Sequence, residues 1–266
     1  MSHALKAGGH LPAWPVRVAT LVRRERKTRF AGGAFGLLWA YVIPASWVAF
    51  VVMIFNLTGR VPPIHAGAEI FVATGILPYI MFRQTLTTMT RSAISNRNLR
   101  VIRGVRPADL LTASALFELM NMFVMMVVIF GAVILIFGAE PPANPAKVVL
   151  GMGGAWMLGV GLGRLIAILG LMSDAVSRAV PILLRPTFWI SGIFYTANEL
   201  TGTVRDILWW SPLFHATEIL REGYFLGFSS PISDPRMVLV AALIPYVLSF
   251  PAEILLLRRG LSRYRL

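Results

Sequence analysis

The stretch from Leu110 to Phe137 reads LLTASALFELMNMFVMMVVIFGAVILIF and contains one charged side chain, Glu118. A helix needs about 20 mostly apolar residues to cross the hydrocarbon core of a membrane, and this stretch exceeds that length. It therefore predicts a transmembrane helix.

Five further apolar runs have the same character, and together the six runs predict transmembrane helices over residues 35–57, 69–89, 110–137, 146–172, 176–197 and 237–257. Of the 266 residues, 56% are hydrophobic and 14% charged, whereas soluble domains carry about 25% charged residues. Lipid offers the backbone no hydrogen-bond partners, so each span must be helical. The predicted fold class is an all-α membrane protein with one membrane domain over residues 31–266.

Most of the 25 lysines and arginines lie in alternate segments between these runs. They crowd the residues before the first run, the connection between the second and third, and the C-terminus. The net charge of +13 would also suit nucleic-acid binding, but this alternation is what the positive-inside rule predicts. We therefore expect a bacterial inner-membrane protein with both termini in the cytoplasm and no nucleic-acid partner.

The N-terminal segment, residues 1–30, is predicted to contain an amphipathic helix over Trp14–Arg29. Its apolar residues recur at helical spacing, opposite a set of arginines: Trp14, Val18, Leu21 and Val22. This pattern is typical of a helix that lies in the cytoplasmic interface, with its apolar face toward lipid and its cations near anionic headgroups.

The connection over residues 90–107, between spans two and three, carries five arginines and no acid: Arg91, Arg97, Arg100, Arg103 and Arg106. It is compatible with a short helix capped by Ser92 or Ser95 and ended near Pro107. Membrane topology alone explains the charge, but a short basic helix between two spans would also be a docking surface for a cytoplasmic partner.

Residues 198–235, between spans five and six, are too polar to span a membrane and too apolar for an ordinary loop. Aromatic residues, including Trp209 and Trp210, are interleaved there with charges such as Arg205 and Arg221. We expect one or two short re-entrant helices on the periplasmic side, broken at Pro212, since irregular backbone is tolerated at membrane depth where protein buries it. The alternative is an aromatic belt at the edge of span five.

Two features inside the spans predict helix packing. Small residues recur every four positions along span four, a spacing that lets helices approach closely: Gly151, Ala155, Gly159 and Gly163. Arg164, deep in the same span, needs a partner, and Glu118 on span three is the candidate. Arg83 lies near enough to the cytoplasmic face to extend its charge into water.

Several kinds of chemistry are missing from the sequence. It contains no glycine-rich phosphate loop ending in Gly-Lys-Ser/Thr, no metal-ligand spacing among its four histidines and no cysteine. Paired carboxylates for ion coupling do not occur within the spans. We expect a non-catalytic chain that binds no cofactor itself and works within a larger machine.

Four groups of residues occur in order along the chain: RFAGGAFGLLW from Arg29 to Trp39 with Val42–Pro44, TGILPY from Thr74 to Tyr79 followed by Phe82, FWISGIFY from Phe188 to Tyr195, and WSPL from Trp210 to Leu213 with Arg221–Gly223. In this order they resemble the ABC-2-type permeases of polysaccharide export, nearest the capsule-export branch. The resemblance covers nearly the whole chain.

The resemblance implies a homodimer that carries two copies of a cytoplasmic ATP-binding-cassette ATPase, which would bind ATP and magnesium. Residues 90–107 would be a coupling helix resting on that ATPase. Periplasmic or outer-membrane export partners are also implied.

The same resemblance implies a polysaccharide passage at the dimer interface. Aromatic rings suit it, because the C–H face of a sugar stacks on a ring, and the candidates are Trp39, Tyr41, Trp47, Phe188, Trp189, Phe194, Tyr195, Trp209 and Trp210. Arg205 and Arg221 are candidates to contact an acidic polymer, and a structural pairing of Arg221 with Glu218 or Glu222 stays equally open.

Other functions also stay open. Within the exporter class, the alternative substrates are O-antigen or teichoic-acid polymers on a lipid carrier. An ion-coupled secondary transporter would need coupling groups in the membrane, and a membrane glycan enzyme would need catalytic acids and a metal site. The sequence offers no convincing set for either.

Overall fold

The computed structural model describes residues 13–29, 34–95 and 107–263. Within these ranges the chain forms helices and no strand, which confirms the all-α prediction. The helices are α1 (Trp14–Arg29), α2 (Ala34–Thr58), α3 (Ala68–Ser95), α4 (Pro107–Phe137), α5 (Pro145–Met172), α6 (Asp174–Ile190), α7 (Gly202–Leu208), α8 (Pro212–Tyr224) and α9 (Pro235–Arg263), with a 3-10 turn over Ala197–Glu199.

Four of the described helices are long and apolar enough to cross a membrane: α2, α4, α5 and α9. Each matches one of the six predicted spans to within a few residues, except that α9 continues beyond its predicted end. Helix α3 carries Glu69, Arg83 and Arg91, and α6 has 17 residues, two of them arginines. Neither α3 nor α6 is both long enough and apolar enough to count as a membrane span by this measure. Six crossings therefore remain a prediction.

Helix α6 ends at Ile190, seven residues before the predicted end of span five. The chain then turns at Gly192, whose φ of +81° lies in the region that glycine adopts without strain. A Cβ there would also lie 2.5 Å from the ring of Phe214. The predicted span was too long because an apolar run does not show where close packing requires the backbone to turn.

Helices α3 and α5 form the centre of the bundle. Every side chain from Ile70 to Phe82 on α3 is buried. The small residues of α5 face their neighbours at short range: a Cβ on Gly151 would lie 2.6 Å from the Ala216 carbonyl oxygen of α8, and one on Gly159 2.7 Å from Thr85 of α3. Gly161, on another face, packs on Ala242 of α9. The predicted packing role of this stripe is confirmed.

Helix α1 has the predicted bounds, but part of its apolar face lies on protein rather than on lipid. Val18 is buried. The indole nitrogen of Trp14 donates to Asp109 Oδ1 at 3.1 Å, and Arg17 Nε lies 3.6 Å from Asp109 Oδ2. The start of α4 therefore anchors α1, because Asp109 offers a carboxylate to a helix rich in donors.

The predicted separate helix over residues 90–107 is wrong for its first six residues, which continue α3 to Ser95. Met89, Ser92 and Ala93 are buried, and Met89 and Ala93 pack with Ala167 and Ile168 of α5. This packing extends α3, so Ser92 caps no helix. Arg91 is exposed near the end of α3, whereas four of the predicted coupling residues lie outside the described residues: Arg97, Arg100, Arg103 and Arg106.

Candidate functional site

Aromatic side chains from α2, α3 and the end of α6 form one cluster around Phe188. The Phe188 ring lies 5.6 Å from Trp47, 5.2 Å from Tyr79, 5.5 Å from Trp189 and 5.6 Å from Phe194. These separations are within the range of favourable edge-to-face pairs. The structure thus brings together four of the nine predicted passage aromatics, Trp47, Phe188, Trp189 and Phe194. We call these four residues and Tyr79 the Phe188 cluster.

Trp189 gives the Phe188 cluster an accessible surface. Its side chain is 65% exposed, and its ring stacks on Phe194 at 5.4 Å with an interplanar angle of 23°. The Arg83 guanidinium lies 6.0 Å from the Trp47 ring of the same cluster. An exposed ring that stacks on a second ring, as Trp189 does on Phe194, offers a flat apolar face to the C–H face of a sugar.

The other predicted aromatics, all of them among the described residues, form no ring contact with Phe188. Trp39 is exposed on α2, and the Tyr41 hydroxyl donates to Asn121 Oδ1 of α4 at 3.2 Å. The Tyr195 hydroxyl donates to the carbonyl of Trp189 at 2.8 Å. Trp209 and Trp210 pack edge-to-face on each other at 5.2 Å, beside α8, and Trp210 is 71% exposed.

Sequence reasoning did not include Tyr79 among the passage aromatics. It sits in the TGILPY stretch on α3, and its ring contacts Phe188. The signal was present, since that stretch carries part of the family resemblance, but α3 reads as an ordinary apolar helix. Its contact with the end of α6 depends on the tertiary arrangement.

Arg221 on α8 is buried, with no exposed surface. Its guanidinium donates to Glu218 Oε1 at 3.1 Å, to the Tyr195 carbonyl at 2.7 Å and to the Ile193 carbonyl at 3.4 Å. The Phe71 ring lies 4.3 Å from its Cζ. Of the two roles open from the sequence, the structural pairing with Glu218 is the one found. Arg205 on α7 is partly exposed.

Carboxylates of α8 hold the chain on either side of that helix. Glu218 Oε2 accepts hydrogen bonds from the Ala197 amide at 3.2 Å and from Ser230 Oγ at 2.6 Å. Glu222 Oε1 accepts from the Ser230 amide at 2.9 Å and from Ser233 Oγ at 2.6 Å. These bonds secure the loop before α9 to α8 without regular secondary structure. The two short helices α7 and α8, the second of which begins at Pro212, agree with the prediction of one or two short helices broken there, whereas their re-entrant placement stays a prediction.

His215 joins the same loop through both ring nitrogens. Its Nε2 lies 2.7 Å from the Trp209 carbonyl oxygen, and its Nδ1 accepts a hydrogen bond from the Asp234 amide at 3.2 Å. These partners require the neutral ring with the proton on Nε2. Burial lowers the pKa of His215, and the Trp209 carbonyl and Asp234 partly oppose that shift.

The expected pairing of Arg164 with Glu118 is wrong. Arg164 Nη2 lies 2.6 Å from Glu253 Oε2, and its Nε donates to Ser249 Oγ at 2.7 Å, both on α9. Its Cζ lies 5.3 Å from the Tyr246 ring and 4.9 Å from the Phe250 ring. Arg164 therefore pairs with α9 rather than with α4, where Glu118 lies.

The described residues contain no group of three or more histidine, aspartate or glutamate side chains placed to hold a metal ion. That the chain binds no cofactor itself stays a prediction.

The helices and the long apolar spans define a membrane-embedded helical protein. The sequence matches the ABC-2 type transporter family over residues 16–225, and the chain belongs to this family. The match runs from α1 through α8. Together with the four long apolar helices, it makes the chain a multi-pass inner-membrane protein.

Relatives with known roles match most of the chain. The polysialic acid transport protein KpsM of Escherichia coli is 27% identical over 217 residues, 81% of this chain and 83% of its own. The capsule polysaccharide export inner-membrane protein CtrC of Neisseria meningitidis serogroup A is 25% identical over 85% of this chain and 86% of its own. The protein of the same description from Haemophilus influenzae, BexB, is 26% identical over 78% of each chain.

Proposed function

We propose that this chain is the membrane permease of an exporter that carries capsular or related cell-surface polysaccharide across the inner membrane. A separate cytoplasmic ATPase, which binds ATP and magnesium, drives it, and the permease itself is non-catalytic. The observation that carries the proposal is that relatives matching 78–85% of the chain are described as transporters of polysialic acid or capsule polysaccharide.

In this proposal α2, α3, α4, α5, α6 and α9 all cross the membrane, with both termini cytoplasmic. Helix α3 tolerates polar residues because neighbouring helices, rather than lipid, cover most of it. Helix α6 is about 25 Å long, which is shorter than the hydrocarbon core of about 30 Å. The turn at Gly192 would therefore complete its crossing. Helices α7 and α8 then lie on the periplasmic side, near the partners that receive the polymer.

The polymer passes between two copies of the chain, along exposed rings such as Trp189 and Trp39. Helix α3 links this passage to the ATPase. The exposed Arg91 lies near the cytoplasmic end of α3, about 18 Å along the helix from Tyr79. Because α3 is a buried rigid element, a displacement at its Arg91 end moves Tyr79 and the Phe188 cluster with it.

A deletion strain tests the proposal. We expect long-chain polysaccharide to accumulate in the cytoplasm while the cell surface loses it, as seen by staining both compartments. Complementation with Trp189→Ala should restore surface polymer poorly, whereas Ile182→Ala, an exposed aliphatic position on the same helix, should restore it fully. Protein levels in the membrane must match for the comparison.

Other outcomes contradict parts of the proposal. Unchanged surface glycan in the deletion strain would exclude polysaccharide export. Polymer missing from both compartments would indicate a biosynthetic enzyme. Since the chain has no cysteine, single cysteines introduced at Leu57 and Leu226 report topology directly, and labelling of either from the cytoplasm alone would contradict the proposed orientation.

A further inference from the structure

An apolar groove of about 500 Å³ runs between α2 and α4. Small side chains leave it open: Ala45 and Ala49 on α2 and Ala132 on α4 line it, and the buried Val48 and Val133 form part of its floor. From Ala45 to Asn56 it follows twelve residues of α2, a rise of about 17 Å. That length is close to one leaflet of the hydrocarbon core, about 15 Å.

The groove ends at a carboxylate. Asn56 and Glu69 line its far end, where α2 ends and α3 begins. Glu69 and Phe137 also line a second cavity, of about 510 Å³, formed by the connections around His65, Glu140 and Tyr224. The apolar groove, which we also call the slot, is about one leaflet long. At Glu69 it adjoins the second cavity, which we call the chamber.

The lining of the two spaces includes two carboxylates, Glu69 and Glu140, and one histidine, His65, but no lysine or arginine. Neither carboxylate pairs with a cation within the described residues. This is unusual for a chain with 25 lysines and arginines and 12 acids. The chamber therefore attracts a cation and disfavours an acidic headgroup.

We propose that this groove and chamber form a binding site for a phospholipid with a primary ammonium headgroup, such as phosphatidylethanolamine. One acyl chain lies in the slot between α2 and α4, and the ammonium donates to the Glu69 carboxylate. The quaternary ammonium of a choline headgroup has the same charge but no N–H donor. An anionic glycerol headgroup has neither a positive charge nor an N–H donor. The site should therefore select the primary ammonium over both.

The inference rests on the membrane placement proposed above but not on the identity of the polymer. With both termini cytoplasmic, Glu69 lies at the periplasmic surface and the lipid belongs to the outer leaflet. Loss of export in the deletion strain tests the polymer, and lipid binding by the purified chain tests the groove, so the two can fail separately.

The experiment is native mass spectrometry of the purified full chain, titrated with phosphatidylethanolamine, phosphatidylcholine and phosphatidylglycerol of identical acyl chains. We expect the ethanolamine lipid to bind most tightly. Glu69→Gln should weaken its binding about tenfold, the size expected for one hydrogen bond between charged groups. It should weaken binding of the choline lipid less, because that lipid loses the charge attraction but no hydrogen bond. Glu199→Gln, at an exposed carboxylate outside both cavities, is the matched control.

A second variant tests the slot. Ala49→Phe should fill it and weaken all three lipids, whereas Val247→Phe, on the exposed face of α9, should not. Three results would overturn the proposal: equal affinity of the wild-type chain for ethanolamine and choline lipids, a preference that survives Glu69→Gln, or a disulfide between two copies of Ala49→Cys in membranes. The last would assign the groove to contact between copies.

Discussion

Arg164 and Arg221 are both buried inside the helix bundle, 5% and 0% exposed, but their carboxylate partners come from different distances along the chain. Glu218 precedes Arg221 by three residues on the same helix. Glu253 follows Arg164 by 89 residues, on α9. The first pair is local, and the second joins two helices.

The two pairs also differ in what they stabilise. Arg221 donates to backbone carbonyls of residues 193 and 195, so it fixes the irregular segment after α6. Arg164 bonds with side chains of α9 and fixes the contact between two regular helices. The side chain of Glu218 is 0% exposed and that of Glu253 is 13% exposed. If its arginine is removed, the Glu253 carboxylate can therefore be hydrated better than the Glu218 carboxylate.

The largest expected effect is that of Arg221→Met. It leaves the Glu218 carboxylate buried without its cation and removes donors from two carbonyls. Losing one partner of a buried pair lowers the free energy of unfolding by about 3–5 kcal/mol, and we expect a loss in that range for the purified protein in detergent micelles. The measurement is denaturation followed by tryptophan fluorescence.

The control for that variant is Arg205→Met, at a partly exposed arginine on α7 that forms no ion pair within the described residues. It should change stability little. The double variant Arg221→Met with Glu218→Met should recover part of the loss, because no charge is then left buried. If Arg221→Met lowers the free energy of unfolding by no more than Arg205→Met does, burial does not determine how much each arginine contributes to stability.

Arg164→Met should have the second-largest effect, about 2–3 kcal/mol, the upper range for hydrogen bonds between charged groups. It should fall below that of Arg221→Met because Glu253 retains some access to solvent. A double-mutant cycle with Glu253→Gln should show a coupling energy, and the same cycle with Glu118→Gln should show almost none. Coupling to Glu118 instead would reverse the contact seen here.

The sequence predicted the pair on α8 as an alternative and missed the pair between α5 and α9. A spacing of three residues on one helix brings Glu218 and Arg221 together whatever surrounds the helix. The partner of Arg164 depends on which face of α5 meets which helix, and hydropathy does not contain that information. Glu253 was visible as an acid within the last apolar run, but so was Glu118 within the third.

Because hydropathy does not show which helix surfaces meet, it also locates some helix ends poorly. Hydropathy located α2, α4, α5 and α9 well, because lipid contact requires long apolar runs. It predicted α6 as too long and did not anticipate that α3 continues to Ser95, since both ends depend on packing against other helices. In the Phe188 cluster, the aromatics of the FWISGIFY stretch were identifiable, whereas the contribution of Tyr79 depended on how α3 packs.

His215 should make the α8 region sensitive to acid. Burial lowers its pKa from the ordinary value of 6.5, so below pH 6.5 the unfolded chain takes up a proton that the folded chain resists. Stability should therefore fall as the pH falls below 6.5. His215→Gln should flatten this part of the stability profile, whereas His65→Gln, at an exposed histidine, should leave it. An unchanged profile in His215→Gln would place the acid sensitivity elsewhere.

The smallest expected effect is that of Lys147→Met, below about 1 kcal/mol, as for other solvent-exposed ion pairs. Lys147 Nζ lies 3.4 Å from Glu222 Oε2, but its side chain is 50% exposed. Glu222 also keeps its bonds from Ser230 and Ser233 without it. Any loss should diminish further in high salt, because screening acts most strongly on exposed charges, whereas the loss in Arg221→Met should persist. A salt-insensitive loss for Lys147→Met as large as that for Arg164→Met would mean that burial does not set the strength of these pairs, since Lys147 is the most exposed cation among them.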